Sequence, residues 1–332
     1  MKIDVMTSSG RWTDVADQAR ALEASGFSGM LFTETSQTPW MAIASAATAA
    51  PSLDFSTGIA VAFPRSPMIA ASVAWELAEN TEGKFRLGLG SQVRAHVERR
   101  YSTEFNSPGP RMRDYVEAVK ACLRAFRGEE KLHHEGPYYN LSLLPDAWKP
   151  RQHSFGDIKV DVSAVGPYMT KMANEVADGI HVHPFHSMRY LQDHLIPAAP
   201  NVDLMIPVFT VVGDTADEQQ ELKRQAKQQI AFYGSTRNYG FQFELLGFEG
   251  MSGRLNERMK AGDIDGMTDL ITDEMLEQYA VVSSWADLAD KLIDRYRNSA
   301  ERIVLYQAEG SIRNNPPALD KWRLVAEAVR AA

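Results

Sequence analysis

Three segments of this sequence combine residue types and spacings that could support chemistry. Residues 88–92, Gly-Leu-Gly-Ser-Gln, end an apolar run in small and polar residues, so a ligand could approach the backbone closely. Residues 163–167, Ser-Ala-Val-Gly-Pro, precede a helical pattern, and the free N–H groups of a helix start can bind phosphate. Residues 179–184 alternate so that His181 and His183 share one strand face, where imidazoles can transfer protons near pH 7.

Two further polar positions are candidates, each with a structural alternative. Glu34 closes an apolar run and could exchange protons or contact a substrate, or it could be a solvated carboxylate. His96 and Arg94 lie in a charged run after residues 88–92 and could contact a substrate or phosphate. Charge runs of this type are also typical of solvated helices.

A metal site is not predicted. His186 follows His181 and His183 closely, and three histidines at this spacing resemble the ligand pattern of a metal site. The first apolar run, however, ends in Met6 and Thr7 without a pair of histidines, and no acidic residue closes the last run. We therefore expect the histidines either to pack structurally or to lie beside a cofactor or substrate.

The elements that must position these residues alternate along the whole chain. Apolar, strand-like runs are followed by helix-like runs with a period near 3.6, as at Val15, Ala19 and Leu22. This alternation predicts an α/β fold with a parallel sheet, and eight βα units predict a (β/α)8 TIM barrel whose functional loops follow the strands. The predicted strands are residues 2–7, 29–34, 55–63, 84–90, 158–165, 179–184, 203–212 and 301–306.

Two stretches depart from the simplest barrel. Residues 128–157 are rich in glycine and proline and predict a hairpin and loop insertion. Residues 215–300 are too many for one helix and contain seven scattered glycines, so we expect a lid or substrate region there. No flexible linker separates the parts, and we predict one domain over residues 1–332 with these two insertions.

Composition excludes several classes of function. The net charge of -8 leaves no broad basic surface for nucleic acid or an anionic membrane. The single cysteine, Cys122, lies in a helical pattern and reads as a small apolar residue. The chain starts in an apolar strand without a leader, and no apolar run reaches membrane-spanning length, so a cytoplasmic protein is expected. Nucleophile-elbow, P-loop and dinucleotide fingerprints are missing, which disfavours hydrolases and kinases.

Several segments together resemble the bacterial luciferase-like superfamily, whose members are (β/α)8 oxidoreductases that use FMN or the deazaflavin F420. The resemblance spans most of the chain. Its carriers are ALEASGF at residues 21–27, STGIAVAFPRSP at 56–67, GKFRLGLG at 83–90, VGP at 165–167 and ADG at 177–179. The run from 88 to 100, with FPRSP at 63–67, is most similar to the branch labelled F420-dependent.

The resemblance implies a cofactor site at the carboxyl ends of the strands. In the family a non-prolyl cis peptide lies under the cofactor ring, and the match places it at Gly58-Ile59. Residues after the fourth strand would border the ring, and the start of the helix after the fifth strand would hold the phosphate. The cofactor-binding residues implied are Gly58, Ile59, Gly90, Ser91, Gln92, Val165, Gly166 and Pro167.

Two departures from the family pattern bear on the chemistry. Many F420-using relatives have a histidine after the acidic residue that ends the second strand, whereas this chain has Thr35 after Glu34. Luciferases place an arginine for the FMN phosphate after the fourth strand, where this chain has Ser91. The second departure favours F420 over FMN, and the first leaves the catalytic acid or base open among Glu34, His183 and His96.

The resulting prediction is an F420-dependent oxidoreductase that transfers hydride between the deazaflavin and a small organic substrate. One alternative is an FMN-dependent monooxygenase of the same fold that uses O2 and reduced flavin from a separate reductase. A second alternative is a barrel that binds flavin without turnover. A more remote alternative is a metal hydrolase. The resemblance also implies a homodimer as an expected assembly.

Overall fold

The computed structural model describes residues 1–306, 308–314 and 316–332. Within these ranges the chain forms the following strands: β1 Lys2–Ser8, β2 Gly29–Thr33, β3 Asp54–Thr57, β4 Ala60–Val61, β5 Phe85–Gly90, β6 His134–Glu135, β7 Asn140–Leu141, β8 Lys159–Ala164, β9 Gly179–Val182, β10 Asp203–Val212, β11 Ala280–Ser283 and β12 Arg302–Tyr306.

Helices follow the strands in regular succession. Pro67 begins α3 in the position where its missing N–H costs nothing, and the Ser66 hydroxyl accepts a hydrogen bond from the Met68 N–H at 3.3 Å. The helices are α1 Trp12–Ala24, α2 Trp40–Ala49, α3 Pro67–Asn80, α4 Arg94–Arg99, α5 Pro108–Phe126, α6 Pro167–Val176, α7 Met188–Tyr190, α8 Ile196–Ala198, α9 Ala216–Gly234, α10 Phe241–Glu244, α11 Met251–Lys260, α12 Ile264–Asp269, α13 Asp273–Tyr279, α14 Leu288–Tyr296, α15 Ala308–Asn314 and α16 Pro316–Ala331. A π-helical turn, Leu191–Leu195, joins α7 to α8, and 3₁₀ turns occupy Asp146–Trp148 and Arg237–Tyr239.

Eight successive strand–helix repeats with parallel strands give the chain the predicted α/β fold, a (β/α)8 barrel. The chain divides into two compact units. The first unit comprises Met6–His181 and Ala199–Leu204, and the second comprises Met1–Val5, Val182–Ala198 and Met205–Ala332. The prediction of one domain over the whole chain stays a prediction.

In the first unit, four parallel strands lie side by side in the order β2, β3, β5 and β8. Leu31 pairs with Ser56 between β2 and β3, and Gly88 pairs with Asp161 between β5 and β8. The strands are buried on both faces, as expected for a parallel sheet between helices, and Leu87 and Leu89 of β5 are at most 1% exposed. This sheet positions the carboxyl ends of its strands at one edge.

In the second unit, β10 lies between β11 and β12. Phe209 pairs with Ala280 of β11 and Met205 with Arg302 of β12, and β12 in turn pairs with the first residues of β1. A core of buried apolar side chains from β10, α9 and the following helices supports this sheet. Burial of such side chains is worth about 1.5 to 3 kcal/mol each.

Three strand predictions were wrong. Residues 55–63 form two short strands, β3 and β4, because the chain bulges at Gly58. Strand β9 ends at Val182 rather than at residue 184, because Pro184 has no N–H for a ladder and the chain turns there. The short strand β11 was missed, since four residues among helices carry too little pattern to be recognised.

Both stretches that were predicted to depart from the simplest barrel contain regular secondary structure. Residues 128–157 hold the antiparallel hairpin β6–β7, as their glycines and prolines predicted. Residues 215–300 hold α9 to α14 together with β11. Cys122 is buried within α5, as predicted. Among the helices that the structure describes, none is long and apolar enough to cross a membrane.

Candidate functional site

The bulge between β3 and β4 carries the most distinctive backbone feature of the first unit. The peptide bond from Gly58 to Ile59 is cis, the conformation that the family resemblance implied at this position. A Cβ on Gly58 would lie 2.3 Å from the Leu31 side chain, so only glycine fits against β2 here. The Gly58 N–H donates to the Phe32 carbonyl at 2.9 Å, which fixes the entry into the bulge.

Strand β5 meets this bulge through its two glycines. A Cβ on Gly88 would lie 1.9 Å from the Thr57 carbonyl oxygen, and one on Gly90 would lie 2.7 Å from the Ile59 side chain. The Thr57 hydroxyl donates to the Gly88 carbonyl at 2.7 Å and accepts from the Gly88 N–H at 2.9 Å. The glycines therefore pack β5 against residues 57–59, and Ile59 lies directly beside Gly90.

The residues that follow β5 form an irregular corner. Gln92 has a φ of 59°, a left-handed conformation that is uncommon outside glycine and recurs at functional sites. The Ser91 hydroxyl donates to the Gln92 carbonyl at 3.2 Å, and the Val93 N–H donates to the Gln92 side chain at 2.9 Å. His96 follows on α4, where its side chain is exposed to solvent.

The start of α6 offers backbone donors without a side-chain cap. Gly166 occupies the cap position and Pro167 the first helical position, so the next N–H groups have no partner within the helix. A Cβ added at Gly166 would meet nothing within 4 Å, which shows that space is open beside this helix end. Val165, the last residue before the cap, follows β8 directly. An anion fits such a position.

Glu34 closes β2 as predicted, but its carboxylate is not solvated. It is 7% exposed and forms a two-point ion pair with the Arg65 guanidinium. It also accepts a hydrogen bond from the Val61 N–H at 2.8 Å, while Arg65 donates to the Val61 carbonyl at 2.6 Å. Glu34 and Arg65 together fasten β4, and with it the bulge, to the end of β2.

A second ion pair joins β5 to β8 in the same unit. Arg86 donates to both oxygens of Asp161, at 2.8 and 2.9 Å, and to Asp203 at 3.1 Å. Burial alone would raise the pKa of Asp161, but the contacts with His181 and Arg86 lower it to about 2. His181 Nε2 lies 3.5 Å from Asp161 Oδ2, and the ring packs against Gly88.

His183 of the second unit has a different environment from His181. The strand predicted over residues 179–184 stops at Val182, so His183 lies just beyond β9, and a shared face for the two histidines stays a prediction. The Phe185 N–H donates to His183 Nδ1 at 3.1 Å, so the neutral ring carries its hydrogen on Nε2. Burial and the nearby His186 lower the pKa of His183 to about 3.

Two tyrosines flank the His183 ring. The ring centroid of Tyr233 lies 4.7 Å away nearly edge-on, and that of Tyr239 lies 4.4 Å away at a tilt. Burial raises the pKa of Tyr233 to about 12 and also raises the pKa of Tyr239. All three side chains are therefore neutral at physiological pH.

His186 contacts the backbone of His183. Its Nδ1 donates to the His183 carbonyl at 2.9 Å, and burial lowers its pKa to about 4. Within the described part of the chain, no group of three His, Cys, Asp or Glu side chains is arranged to hold a metal ion.

Sequence reasoning missed the partners of the predicted residues. Arg65 and Arg86 lie in the matched segments but carried no separate signal, and Asp161 is 75 positions from Arg86. Tyr233 and Tyr239 lie in residues 215–300, which were predicted only as a lid or substrate region. The alternation of side chains along a strand was the one sequence signal that could have placed Asp161 on the same sheet face as Arg86.

The model of the luciferase-like monooxygenase family matches residues 1–302. An uncharacterized protein of Mycobacterium tuberculosis is 35% identical over 300 residues, which cover 87% of this chain and 88% of that protein.

Two solved structures share the fold at low sequence identity. The coenzyme F420 dependent tetrahydromethanopterin reductase of Methanopyrus kandleri has a TM-score of 0.78 at 16% identity and covers 99% of this chain and 98% of its own. The oxygenating constituent of 3,6-diketocamphane monooxygenase of Pseudomonas putida, in complex with FMN, has a TM-score of 0.67 at 16% identity, with 99% and 98% coverage.

Proposed function

Because the chain belongs to the luciferase-like monooxygenase family, we propose that it is an F420-dependent oxidoreductase acting on a small organic substrate. When bound, the deazaflavin supplies a carrier for hydride. The observation that carries the proposal is the fixed bulge at Gly58 and Ile59, which adjoins Gly90 in a chain of this family. The similarity to an F420 dependent reductase supports the choice of cofactor.

The residues of the first unit fit such a cofactor. Ile59 lies directly beside Gly90, and this apolar contact suits a planar ring. Ser91 and Gln92 offer polar groups next to it. The start of α6 at Gly166 and Pro167 provides free N–H groups and open space for a phosphate. These are the residues that would hold the cofactor.

Glu34 has a positioning role in this proposal. Both of its oxygens are engaged by Arg65 and the Val61 N–H, so the carboxylate is not free to accept a proton from a substrate. By holding β4 against β2 it keeps the residue 58–59 bulge in place. His183 is the better candidate for contact with the substrate, since its Nε2 carries a hydrogen.

A second candidate function is the FMN-dependent monooxygenase reaction. The similar fold of a monooxygenase constituent in complex with FMN favours it. In that reaction a separate reductase would supply the reduced flavin. The serine at position 91 and the absence of a basic side chain within α6's first turn, Pro167 to Met169, argue for the less highly charged phosphodiester of F420.

A matched pair of variants at Gly166 tests the cofactor site. Gly166→Asp adds a negative charge at the helix start, and Gly166→Asn adds a side chain of the same size without charge. Both fit, because the Cβ position is open and the backbone conformation is ordinary. We expect Gly166→Asp to weaken F420 binding at least about tenfold relative to Gly166→Asn, as measured by equilibrium titration of F420 absorbance and fluorescence.

The thermal midpoints of the two variants should match, since both residues cap helices well. Equal F420 affinity in the two variants would contradict the assignment of the phosphate to α6. Tight F420 binding without hydride exchange for any alcohol, aldehyde or enone tested would instead indicate a binding protein without turnover.

A further inference from the structure

One short strand of the second unit has an edge that no other described strand covers. Strand β11 pairs with β10 alone among the strands that the structure describes. The Ser283 carbonyl accepts a hydrogen bond from the Gly213 N–H, just beyond β10, at 3.1 Å. Because successive residues of a strand direct their backbone groups to opposite edges, Val281 and Ser283 face β10. The backbone groups of Ala280 and Val282 therefore face the open edge.

Two basic side chains of α14 cover this edge. Lys291 Nζ donates to the Val282 carbonyl at 2.9 Å, and Arg295 Nη1 donates to the Ala280 carbonyl at 2.9 Å. The two residues are four positions apart, so they lie on the same face of the helix. Both carbonyls at the open edge are thus bonded to a side chain instead of to another strand.

Arg295 also holds the end of α13. Its Nη2 donates to the Gln278 carbonyl at 2.7 Å, and its Nη1 lies 3.4 Å from the Glu277 carbonyl oxygen. Carbonyls in the last turn of a helix have no partner within the helix, and a cation is favoured there. The guanidinium therefore joins α13 to the edge of β11.

The cover consists of side chains rather than of packed backbone. A cavity of about 550 Å³ is lined by β11, by Glu277 of α13, and by Lys291, Asp294 and Arg295 of α14. Glu277, Lys291 and Asp294 are exposed, so the cavity opens to solvent. Although two carboxylates line the same cavity, Lys291 and Arg295 form no ion pair with any described carboxylate. Both cations are engaged by backbone carbonyls.

The sequence of the covered strand favours pairing with a copy of itself. Residues 278–286 read Gln-Tyr-Ala-Val-Val-Ser-Ser-Trp-Ala and contain no charged residue and no proline. Uncharged segments with β-branched and aromatic residues pair readily when an edge is exposed. Two identical copies of this segment meet no charge repulsion along the strand.

We propose that the open edge of β11 is a pairing surface for a second copy of this chain, and that Lys291 and Arg295 keep it covered. A two-fold axis aligns two such edges antiparallel. With Val282 opposite its copy, the Val282 N–H donates to the Val282 carbonyl of the other chain, and the Ser284 N–H donates to the Ala280 carbonyl.

The two cations oppose this pairing in the wild-type chain. An approaching strand must break the hydrogen bonds of Lys291 and Arg295 with the edge carbonyls. It must also move two charged groups or bury them without a counter-ion, which is costly. Charged side chains placed at a strand edge are a common protection against edge-to-edge pairing. The inference concerns assembly and does not depend on the proposed cofactor.

The first experiment removes the cover from the full-length protein. We expect Lys291→Ala combined with Arg295→Ala to give, at high protein concentration, a mass about twice that of the wild type, measured by light scattering after size exclusion. The peptide that contains Ala280–Ser283 should then exchange its amide hydrogens more slowly than at low concentration.

The matched control is Arg254→Ala combined with Arg258→Ala on α11. These residues are also four positions apart and exposed, and neither donates to a strand in the described chain. Both double variants lose two positive charges and become more negative than the wild-type value of -8, which strengthens repulsion between copies. The control should keep the wild-type mass, so association of the first variant would oppose the change in charge.

A second set of variants leaves the end of α13 intact. Lys291→Met keeps the aliphatic stem but removes the donor, and it should raise the mass less than the double variant does. Lys291→Arg keeps a donor and should have the wild-type mass. Val282→Pro added to the double variant removes the outward N–H and should restore the wild-type mass.

The outcomes decide between the covered edge and a purely structural role. Wild-type mass in both Lys291→Met and the double variant would overturn the proposal. A higher mass that Val282→Pro does not reverse would also overturn it, because the copies would then meet through another surface. If the double variant does not fold, the comparison of Lys291→Met with Lys291→Arg decides.

Discussion

Two groups of buried side chains, one in each unit, are held in opposite states. In the first unit, Glu34 and Asp161 are charged and are held by Arg65 and Arg86. In the second unit, His183 and its flanking tyrosines are neutral, because burial opposes their charged forms and no counter-ion is present among their described neighbours. The first group pairs its charges and the second avoids them, although the second unit also contains a buried ion pair between Arg302 and Asp4.

This difference matches two tasks. Paired charges fix the backbone, since an Arg–carboxylate pair with two hydrogen bonds defines the relative position of two strands. Neutral donors leave hydrogen-bonding capacity for a ligand, since no partner among the described residues satisfies His183 Nε2 or the two tyrosine hydroxyls. In the proposed function, the paired side chains Glu34 and Asp161 therefore belong to the scaffold, and the neutral side chains of the second group are the better candidates for contact with substrate.

The largest effect should come from breaking the paired charges of the first unit. Asp161→Asn leaves the buried guanidinium of Arg86 with Asp203 alone and removes the acidic neighbour of His181. We expect a loss of about 3 to 5 kcal/mol in the free energy of unfolding, measured by urea denaturation. The exposed pair of Arg113 with Glu175 is the control, and Glu175→Gln should cost far less than Asp161→Asn.

If Asp161→Asn cost no more than Glu175→Gln, the first group would not depend on paired buried charge, and the contrast between the two groups would disappear.

A smaller effect should reveal the neutral state of His183 in the second unit. The folded pKa of His183 near 3 lies below its ordinary value of 6.5, so between these pH values only the unfolded chain takes up the proton. Stability from this residue is therefore complete above pH 6.5 and falls as the pH drops toward 3. Between pH 7 and 5 the loss is about 2 kcal/mol.

His183→Asn should remove that part of the pH dependence and leave the part due to His186, whose pKa is lowered to about 4. Thermal midpoints at pH 7 and pH 5 are the measurement. The exposed His194 provides the control, since His194→Asn should leave the pH dependence as it is in the wild type. An unchanged pH dependence in His183→Asn would show that His183 is not held neutral.

The sequence predicted the repeating fold well because its signal is local. Strand and helix periodicities can be recognised within about ten residues of sequence, and they indicated all eight βα units. The cis peptide at Gly58-Ile59 came from resemblance to a family, since no periodicity or propensity marks it. The strand ends were predicted less well. Strand β9 stops before His183, because a proline follows one residue later and the chain turns there. The ring of His183 accepts a hydrogen bond from a backbone N–H, which no sequence pattern indicates.

The partners in the candidate site could not be predicted from spacing. Asp161 meets Arg86, and Tyr233 meets His183, only because the fold brings distant segments together. For the same reason Glu34 was correctly placed at the end of β2, but its ion pair with Arg65 could be read only from the structure. Burial, which sets the pKa of His183, is likewise a property of the folded chain.

The central claim is that the first unit holds a deazaflavin, and parallel titrations of the wild-type protein with F420 and FMN test it most directly. We predict saturable F420 binding in the micromolar range and FMN binding at least about tenfold weaker, which corresponds to a difference of about 1.4 kcal/mol. Micromolar FMN binding without F420 binding would contradict the account.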